Sequence, residues 1–209
     1  MPQLINRTMM ESVFPSEELV TLQEANLPDE LDEKARSILT GAGLPDDRSS
    51  FFFVDGRLTD EEPVGSFARC AELPYFSQYQ DMPEGWENWL VIGGIYEDGV
   101  VLDPVSGMVY SLPDGEYRAR PLNQSLDSFV YFLYLLQSER PNFDFSVSDE
   151  ITDSEGVAVS LRERMIRVDP LPFEGVEPAW SENFDWDAED APPLPAWDHV
   201  LWDVHESVG

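Results

Sequence analysis

Positive charge is scarce in this chain of 209 residues: 12 Lys and Arg stand against 42 Asp and Glu, a net charge of −30 with His neutral. A protein so poor in cations has nothing with which to neutralise a run of phosphates, which excludes general nucleic-acid binding. Docking on an anionic membrane fails for the same reason. Cysteine is reduced to Cys70, so no intramolecular disulfide forms and a reducing compartment is expected. His199 and His205 are the only histidines, and with one Cys they leave no neighbourhood able to supply a structural zinc site. The N-terminus lacks a basic start followed by an apolar stretch, so no secretion signal is expected. The longest apolar run, FVYFLYLL from Phe129 to Leu136, falls far short of the ~20 residues of a membrane helix. These absences describe a soluble, cytoplasmic protein without metal or cofactor, one that repels anions and attracts basic partners.

A hydrophobic fraction of 42% and an aromatic fraction of 12% exclude wholesale disorder. At roughly 150 residues per domain the length suits one domain over 1–209, with a core spanning about 27–168 and an extension over 169–209. Pro15 and Pro28 bracket a short expected helix at 16–25. A second helix follows, with Asp29 as its cap, Leu31, Ala35, Ile38 and Leu39 on one face, and Gly41 and Gly43 as its stop. Strands are then expected at 49–56, 87–96, 99–104, 107–113 and 117–123. Gly93-Gly94 marks a bulge or a close backbone approach. The connectors Glu97-Asp98-Gly99, Asp103 to Gly107 and Pro113 to Glu116 pair Asp with Gly or Pro, the chemistry of hairpin turns. Short strands joined this way make an antiparallel meander of about five to six strands.

A confident helical period begins after Asn123 or Ser125, with Leu126, Phe129, Val130, Leu133 and Leu136 stepping by three and four until Pro141 stops it. That helix is expected to lie across the sheet. A further helix over Ser154–Val168 places Val157, Ala158, Leu161, Met165 and Val168 on one side and Arg162, Arg164 and Arg167 on the other. Beyond Val168 there is no Lys or Arg, while eleven acids and four of the six tryptophans fall in 169–209. A last helix is expected from Pro195 to Ser207, with Trp197, Val200, Leu201, Val204 and Val208 as its apolar stripe.

No catalytic constellation assembles, so no catalytic residue is assigned. The two histidines lie six apart on one helix and so on different faces, and HExxH, GxSxG, GxGxxG and P-loop motifs are missing. Cys70, with no His near it in sequence, reads as a small buried hydrophobe. Asp185, Asp187, Glu189 and Asp190 have a loose calcium-loop spacing, but Asp190 stands where that loop needs Gly and Ala196 where it needs Glu. A solvated acidic loop fits better. Acid pairs are so abundant that none singles itself out for acid–base work.

Aromatic residues set among acids are more informative. A ring supplies contact area and nearby carboxylates supply steering toward a basic partner. Two stretches carry this mixture. One comprises Trp86 with Glu97, Asp98 and Asp114 at the sheet turns, and the other Asp185, Trp186, Asp187, Glu189 and Asp190 in the tail. Trp89, Trp197 and Trp202 read instead as core or docking residues, while Trp186 stays open between docking and interface.

Several short motifs in fixed order resemble a known family. Gly43-Leu44-Pro45 precedes the first meander strand. Trp89 to Gly93 gives W-x-x-x-G, VVLDPVSGMVY forms a hairpin, and Pro121 to Phe129 reads P-L-N-Q-S-L-x-x-F. Val168-Asp169-Pro170 and the tryptophan-bearing last helix continue the pattern. Together they resemble the SUKH superfamily, in particular its fourth immunity-protein family, over about two-thirds of the chain; the 172–195 stretch departs by being longer and more acidic. The resemblance implies an α+β fold with a central antiparallel sheet and packed helices. It implies a non-enzymatic protein that neutralises a cognate polymorphic toxin by direct binding, the toxins often being deaminases or nucleases acting on nucleic acid or nucleotides. The superfamily also implies an intracellular scaffold or regulatory binding domain as an alternative, and an enzyme with an unrecognised site is a further one. A toxin that works on nucleic acid needs a cationic surface, which an acidic protein can occupy.

Overall fold

A computed structural model describes residues 3–46, 51–59, 65–115, 117–151, 153–182, 184 and 194–208. The chain divides into two compact units, Met1–Tyr134 and Leu135–Gly209.

The first unit opens with α1 (Arg7–Glu11), capped by the Asn6 side chain, which accepts from the Met9 N–H at 3.1 Å. The helix expected at 16–25 does not form. Instead, single 3-10 turns at Ser16–Glu18 and Glu24–Asn26 flank β1 (Leu19–Val20). A stretch this short is below the length at which a helix sustains its own nucleation. Its backbone groups find partners elsewhere: β1 pairs antiparallel with β2 (Leu44–Pro45), and the Leu22 N–H donates to the Leu39 carbonyl at 2.8 Å. Between them, α2 (Glu33–Ser37) is capped by Asp32 rather than Asp29. The Asp32 carboxylate accepts from the N–H groups of Lys34 and Ala35 at 3.0 Å. The helix widens into a π turn over Ile38–Ala42, and Gly43, at φ 86°, stops it as expected. Leu31, Ala35, Ile38 and Leu39 are all buried, as their spacing requires.

The meander is present. β3 (Phe52–Val54) is followed by α3 (Gly56–Thr59), β4 (Leu90–Ile95), β5 (Asp98–Leu102), β6 (Val109–Leu112) and β7 (Arg120–Asn123). The sheet order is β3-β4-β5-β6-β7, antiparallel throughout, so the fold is α+β as expected. The β4–β5 turn sits earlier than its sequence suggests. Ile95 pairs with Asp98, leaving Tyr96 (φ 52°) and Glu97 as the loop and placing Asp98 and Gly99 inside β5. Register decides this, because sliding the strand by one residue would turn Val100 and Leu102 to the wrong face.

Both faces of the central strands are buried, while Phe53 of the edge strand β3 stays 50% exposed. On one face Val91, Val101 and Leu112 join Trp89, and the segment 68–89 folds over them through 3-10 turns, contributing Ala68, Cys70, Phe76 and Tyr79. Trp89 stacks on Tyr110 with centroids 4.1 Å apart and planes 15° apart. The alternate residues Phe52, Ile95, Val100 and Leu102 belong to the other face. There α4 (Leu126–Glu139) crosses, setting Phe129 edge-on to Phe52 at 5.2 Å. Ser125 caps α4, its Oγ accepting from the Ser128 N–H at 3.1 Å. Asp127, buried in the first turn, accepts from the N–H groups of Leu4 (2.8 Å) and Ile5 (3.2 Å) and so ties the N-terminal segment down.

Gly93-Gly94 is both of the expected things. The register shifts between Val91 and Gly93. A Cβ on Gly93 would strike the Phe53 carbonyl oxygen and the Phe52 ring, and one on Gly94 would strike the Phe53 ring.

The second unit is built on α5 (Ser154–Val168) and α6 (Ala196–His205), with a 3-10 turn at Glu206–Val208 after it. Asp153 caps α5, accepting from the Gly156 N–H at 2.9 Å. Ala158, Leu161 and Met165 of α5, and Trp197, Val200, Leu201 and Val204 of α6, are buried. Arg162 departs from the expected outer face. Its Nε lies 3.5 Å from Oδ1 of Asp198, which is 0% exposed in the first turn of α6. The guanidinium also lies over the Phe173 ring at 5.1 Å and donates from Nη2 to the Val176 carbonyl at 2.8 Å. Neither Asp198 oxygen makes a hydrogen bond among the described residues. Burial therefore pushes the Asp198 carboxyl up to about 6, against the lowering pull of Arg162.

Two predictions follow from these contacts. Gly93→Ala, which drives a methyl into backbone rather than into a movable side chain, should destabilise the first unit by about 3 kcal/mol, read from the urea midpoint; an unchanged midpoint would show that the strands part freely there. Asp198 has a folded-state pKa above its unfolded value, so the folded chain holds the proton more tightly and loses stability as pH rises from about 4 to about 6. The shift corresponds to roughly 3 kcal/mol. Asp198→Asn should abolish that loss, so its stability relative to the native chain should climb between pH 4 and 7; parallel stability curves would assign the titration to another group.

Candidate functional site

The two acidic–aromatic stretches fare differently. Asp185, Trp186, Asp187, Glu189 and Asp190, the tail candidates, lie outside the described residues. The sheet-turn candidates are all placed. Glu97 is exposed at the β4–β5 turn, Asp98 is half-buried at the start of β5, and Asp114 is exposed just past β6. Trp86 is half-buried, its ring packed against the Trp89 side of the sheet beside Leu73 and Met82.

A residue that sequence reasoning passed over organises this rim. Tyr75, in the 3-10 turn Pro74–Gln78 of the covering segment, donates its hydroxyl to Oδ1 of Asp114 at 3.0 Å. Its ring meets Phe76 edge-on at 5.4 Å and Tyr79 at 6.4 Å, and it is still 49% exposed. Tyr79, one turn on, is buried and donates to the Pro113 carbonyl at 2.8 Å. Partial burial pushes the Tyr75 hydroxyl above its ordinary pKa, and its hydrogen bond to Asp114 and the negative charge of Asp114 and Asp98 add to the effect. Tyr79 is pushed up mainly by burial, with Asp98 and Asp114 again contributing. The structure thus ties Asp114 to the hydroxyl of one exposed aromatic residue, and the charge of Asp98 bears on the same hydroxyl. Three residues after Asp114, Tyr117 is 51% exposed and lines a shallow pocket with Gln80, Asp81, Gly115 and Arg118. The Gln80 N–H donates to the Tyr117 carbonyl at 2.6 Å, which fastens the covering segment to the stretch before β7. Only the clustering of aromatic residues in PYFSQYQ hinted at Tyr75, and its tether to Asp114 spans 39 residues.

The second unit has its own acidic groove, lined by Glu139, Asn142, Glu150, Asp153, Gly156, Val157 and Ser160. Two of its three carboxylates are engaged: Glu139 with Arg164 at 2.5 Å and Asn142 at 2.9 Å, and Asp153 as the cap of α5.

Groups with chemical potential are otherwise set in quiet surroundings. Cys70 is buried in the Trp89 cluster, and burial pushes its thiol up to about 12. His199 is exposed, whereas His205 is stacked between Trp180 (5.2 Å, 4°) and Trp202 (5.5 Å, 8°). Among the described residues no cluster of His, Cys, Asp and Glu is arranged to hold a metal ion. No helix among them is long and apolar enough to cross a membrane.

Comparison with known protein families matches the SUKH-4 immunity protein family over residues 5–186. No curated protein and no solved structure matches the chain. The match spans most of the sequence and both units, and the chain belongs to the SUKH-4 immunity protein family. Membership suggests a non-enzymatic role, and the chemistry of Cys70 supplies a check on it. A thiol that is neutral and enclosed reacts with neither substrate nor alkylating agent. The folded chain should therefore resist iodoacetamide at about pH 8 and react fully once unfolded in urea; rapid labelling of the folded chain, followed by mass, would make Cys70 a reactive group after all.

Proposed function

We propose that this SUKH-4 immunity protein binds a cognate toxin domain directly and blocks it, and that the toxin acts on nucleic acid or nucleotides, as a deaminase or a nuclease. The observation that carries the reading is charge: a net −30 over 209 residues, with 12 cations in all. A toxin that handles phosphates presents a cationic surface, and the acidic chain is its electrostatic complement. The immunity protein needs no chemistry of its own for this, since occupying the substrate surface is enough. The partner-binding surface proposed here comprises the sheet-turn rim, with Trp86, Glu97, Asp98 and Asp114, and the tail stretch Asp185, Trp186, Asp187, Glu189 and Asp190.

Charge complementarity of this kind acts mainly on the rate of encounter. The on-rate for the toxin domain encoded beside this gene should fall at least about tenfold between low and high salt, read by stopped-flow fluorescence. An on-rate indifferent to salt would remove steering from the mechanism. Co-expression should protect cells from that toxin, and His199→Ala, His205→Ala and Cys70→Ser should leave protection intact when folded; failure to protect would refute immunity, and loss in a folded variant that still binds would reopen catalysis.

A further inference from the structure

We propose that the exposed Tyr75 ring, held by Asp114, is the anchor point for an arginine side chain of the basic partner. The proposal rests on the immunity reading for the identity of that partner, and on the rim itself for the chemistry.

Four features of the rim argue for it. First, Tyr75 is about half exposed and yet held at both ends. Its hydroxyl is tied to Asp114 at 3.0 Å and its ring abuts Phe76 and Tyr79. A large ring held in place before binding loses little conformational freedom when a partner arrives, which is what distinguishes an anchor from a passively exposed residue. Second, Asp114 sets a carboxylate at the hydroxyl end of the ring, 3.0 Å from its oxygen, and the charge of Asp98 also bears on that hydroxyl. The face of a tyrosine attracts a cation within about 6 Å of its centre, and adjacent carboxylates add hydrogen-bond acceptors that a guanidinium can reach. Third, the surroundings are enriched for an interface rather than for solubility. Tyr117 is similarly exposed and lines the pocket with Gln80 and Asp81, and tyrosine is characteristic of binding surfaces. Fourth, Arg118, which lines the Tyr117 pocket, is already directed to Asp81 at 3.2 Å, so it does not neutralise the Tyr75–Asp114 pair through that contact.

Arginine is favoured over lysine on geometry. A planar guanidinium can stack on the ring and still direct N–H groups edgewise to a carboxylate, whereas an ammonium does one or the other. The engaged carboxylates of the second unit's groove present no such ring.

The test uses the full chain and two probes. In an NMR titration with Nα-acetyl-arginine amide, the Tyr75 ring protons, identified by their loss in Tyr75→Ala, should shift saturably. Nα-acetyl-lysine amide should shift them less, and Asp114→Asn should weaken the arginine response severalfold. Absence of a shift would overturn the proposal. With the toxin domain encoded beside the gene, Tyr75→Ala should weaken binding by roughly thirtyfold or more, the loss expected of an interface anchor. Phe145→Ala, an equally exposed ring in the second unit, should change it less than twofold. Tyr75→Ala removes a half-exposed ring, so its folding is checked by an unchanged thermal midpoint. If the toxin is neutralised but Tyr75→Ala binds as tightly as the native chain, the anchor is refuted and immunity stands. If the arginine amide shifts the ring while the toxin is not neutralised, the immunity reading fails and the arginine site stands.

Discussion

The central strands of the five-stranded sheet are buried on both faces, and most of what the first unit can do follows from that. An antiparallel meander commonly leaves one side to water. Here Phe129 of α4 covers one side through Phe52, and Phe76, Tyr79 and Trp89 close the other. The residues of β4 are buried from end to end. A sheet covered in this way offers a partner its turns, the edge strand with the half-exposed Phe53, and the outer surface of whatever covers its centre. Tyr75 and Asp114 meet there, at the place where the covering segment reaches the strand ends.

The covering segment has little regular structure to hold it, and this makes its fastenings informative. It is a chain of single 3-10 turns, fixed by apolar residues pressed into the sheet and by a few polar ties: Tyr79 to the Pro113 carbonyl, Gln80 to the Tyr117 carbonyl, Tyr75 to Asp114. All three ties reach the β6–β7 connection. The ring that is presented to solvent and the ring that is buried are therefore held by the same short loop. The arrangement puts an aromatic surface among carboxylates at no cost to the core, because Tyr79 and Phe76 do the packing and Tyr75 is left to face outward.

Acidity is treated differently in the two units. The rim keeps Glu97 and Asp114 exposed to water, where like charges are screened over roughly 10 Å at moderate salt. In the second unit Asp198 is enclosed with a single guanidinium for company. A buried pair of this kind is weak as a source of stability, since desolvation offsets the attraction. It does link α5 to α6, with Arg162 held between Asp198, Phe173 and the Val176 carbonyl.

The amino-acid sequence by itself determined what depends on neighbours along the chain. Alternation and Asp/Gly turns marked the strands of the meander, three-and-four spacing marked α4, α5 and α6, and paired glycines marked the bulge at Gly93, because each signal is written within one element. The lack of cations and the order of short motifs pointed to a binding protein and to its family. Sequence reading failed where two distant segments compete for the same backbone groups. The stretch at 16–25 became β1 because β2 was there to pair with it. Asp32 displaced Asp29 as cap, and the β4–β5 turn moved back to Tyr96 and Glu97. It failed again at the site. Tyr75 looks like any other aromatic in a loop until the fold carries Asp114 to its hydroxyl. Only the tertiary structure decides which side chains are held and which are merely exposed, because that depends on contacts between residues far apart in the chain, and local pattern carries no record of them.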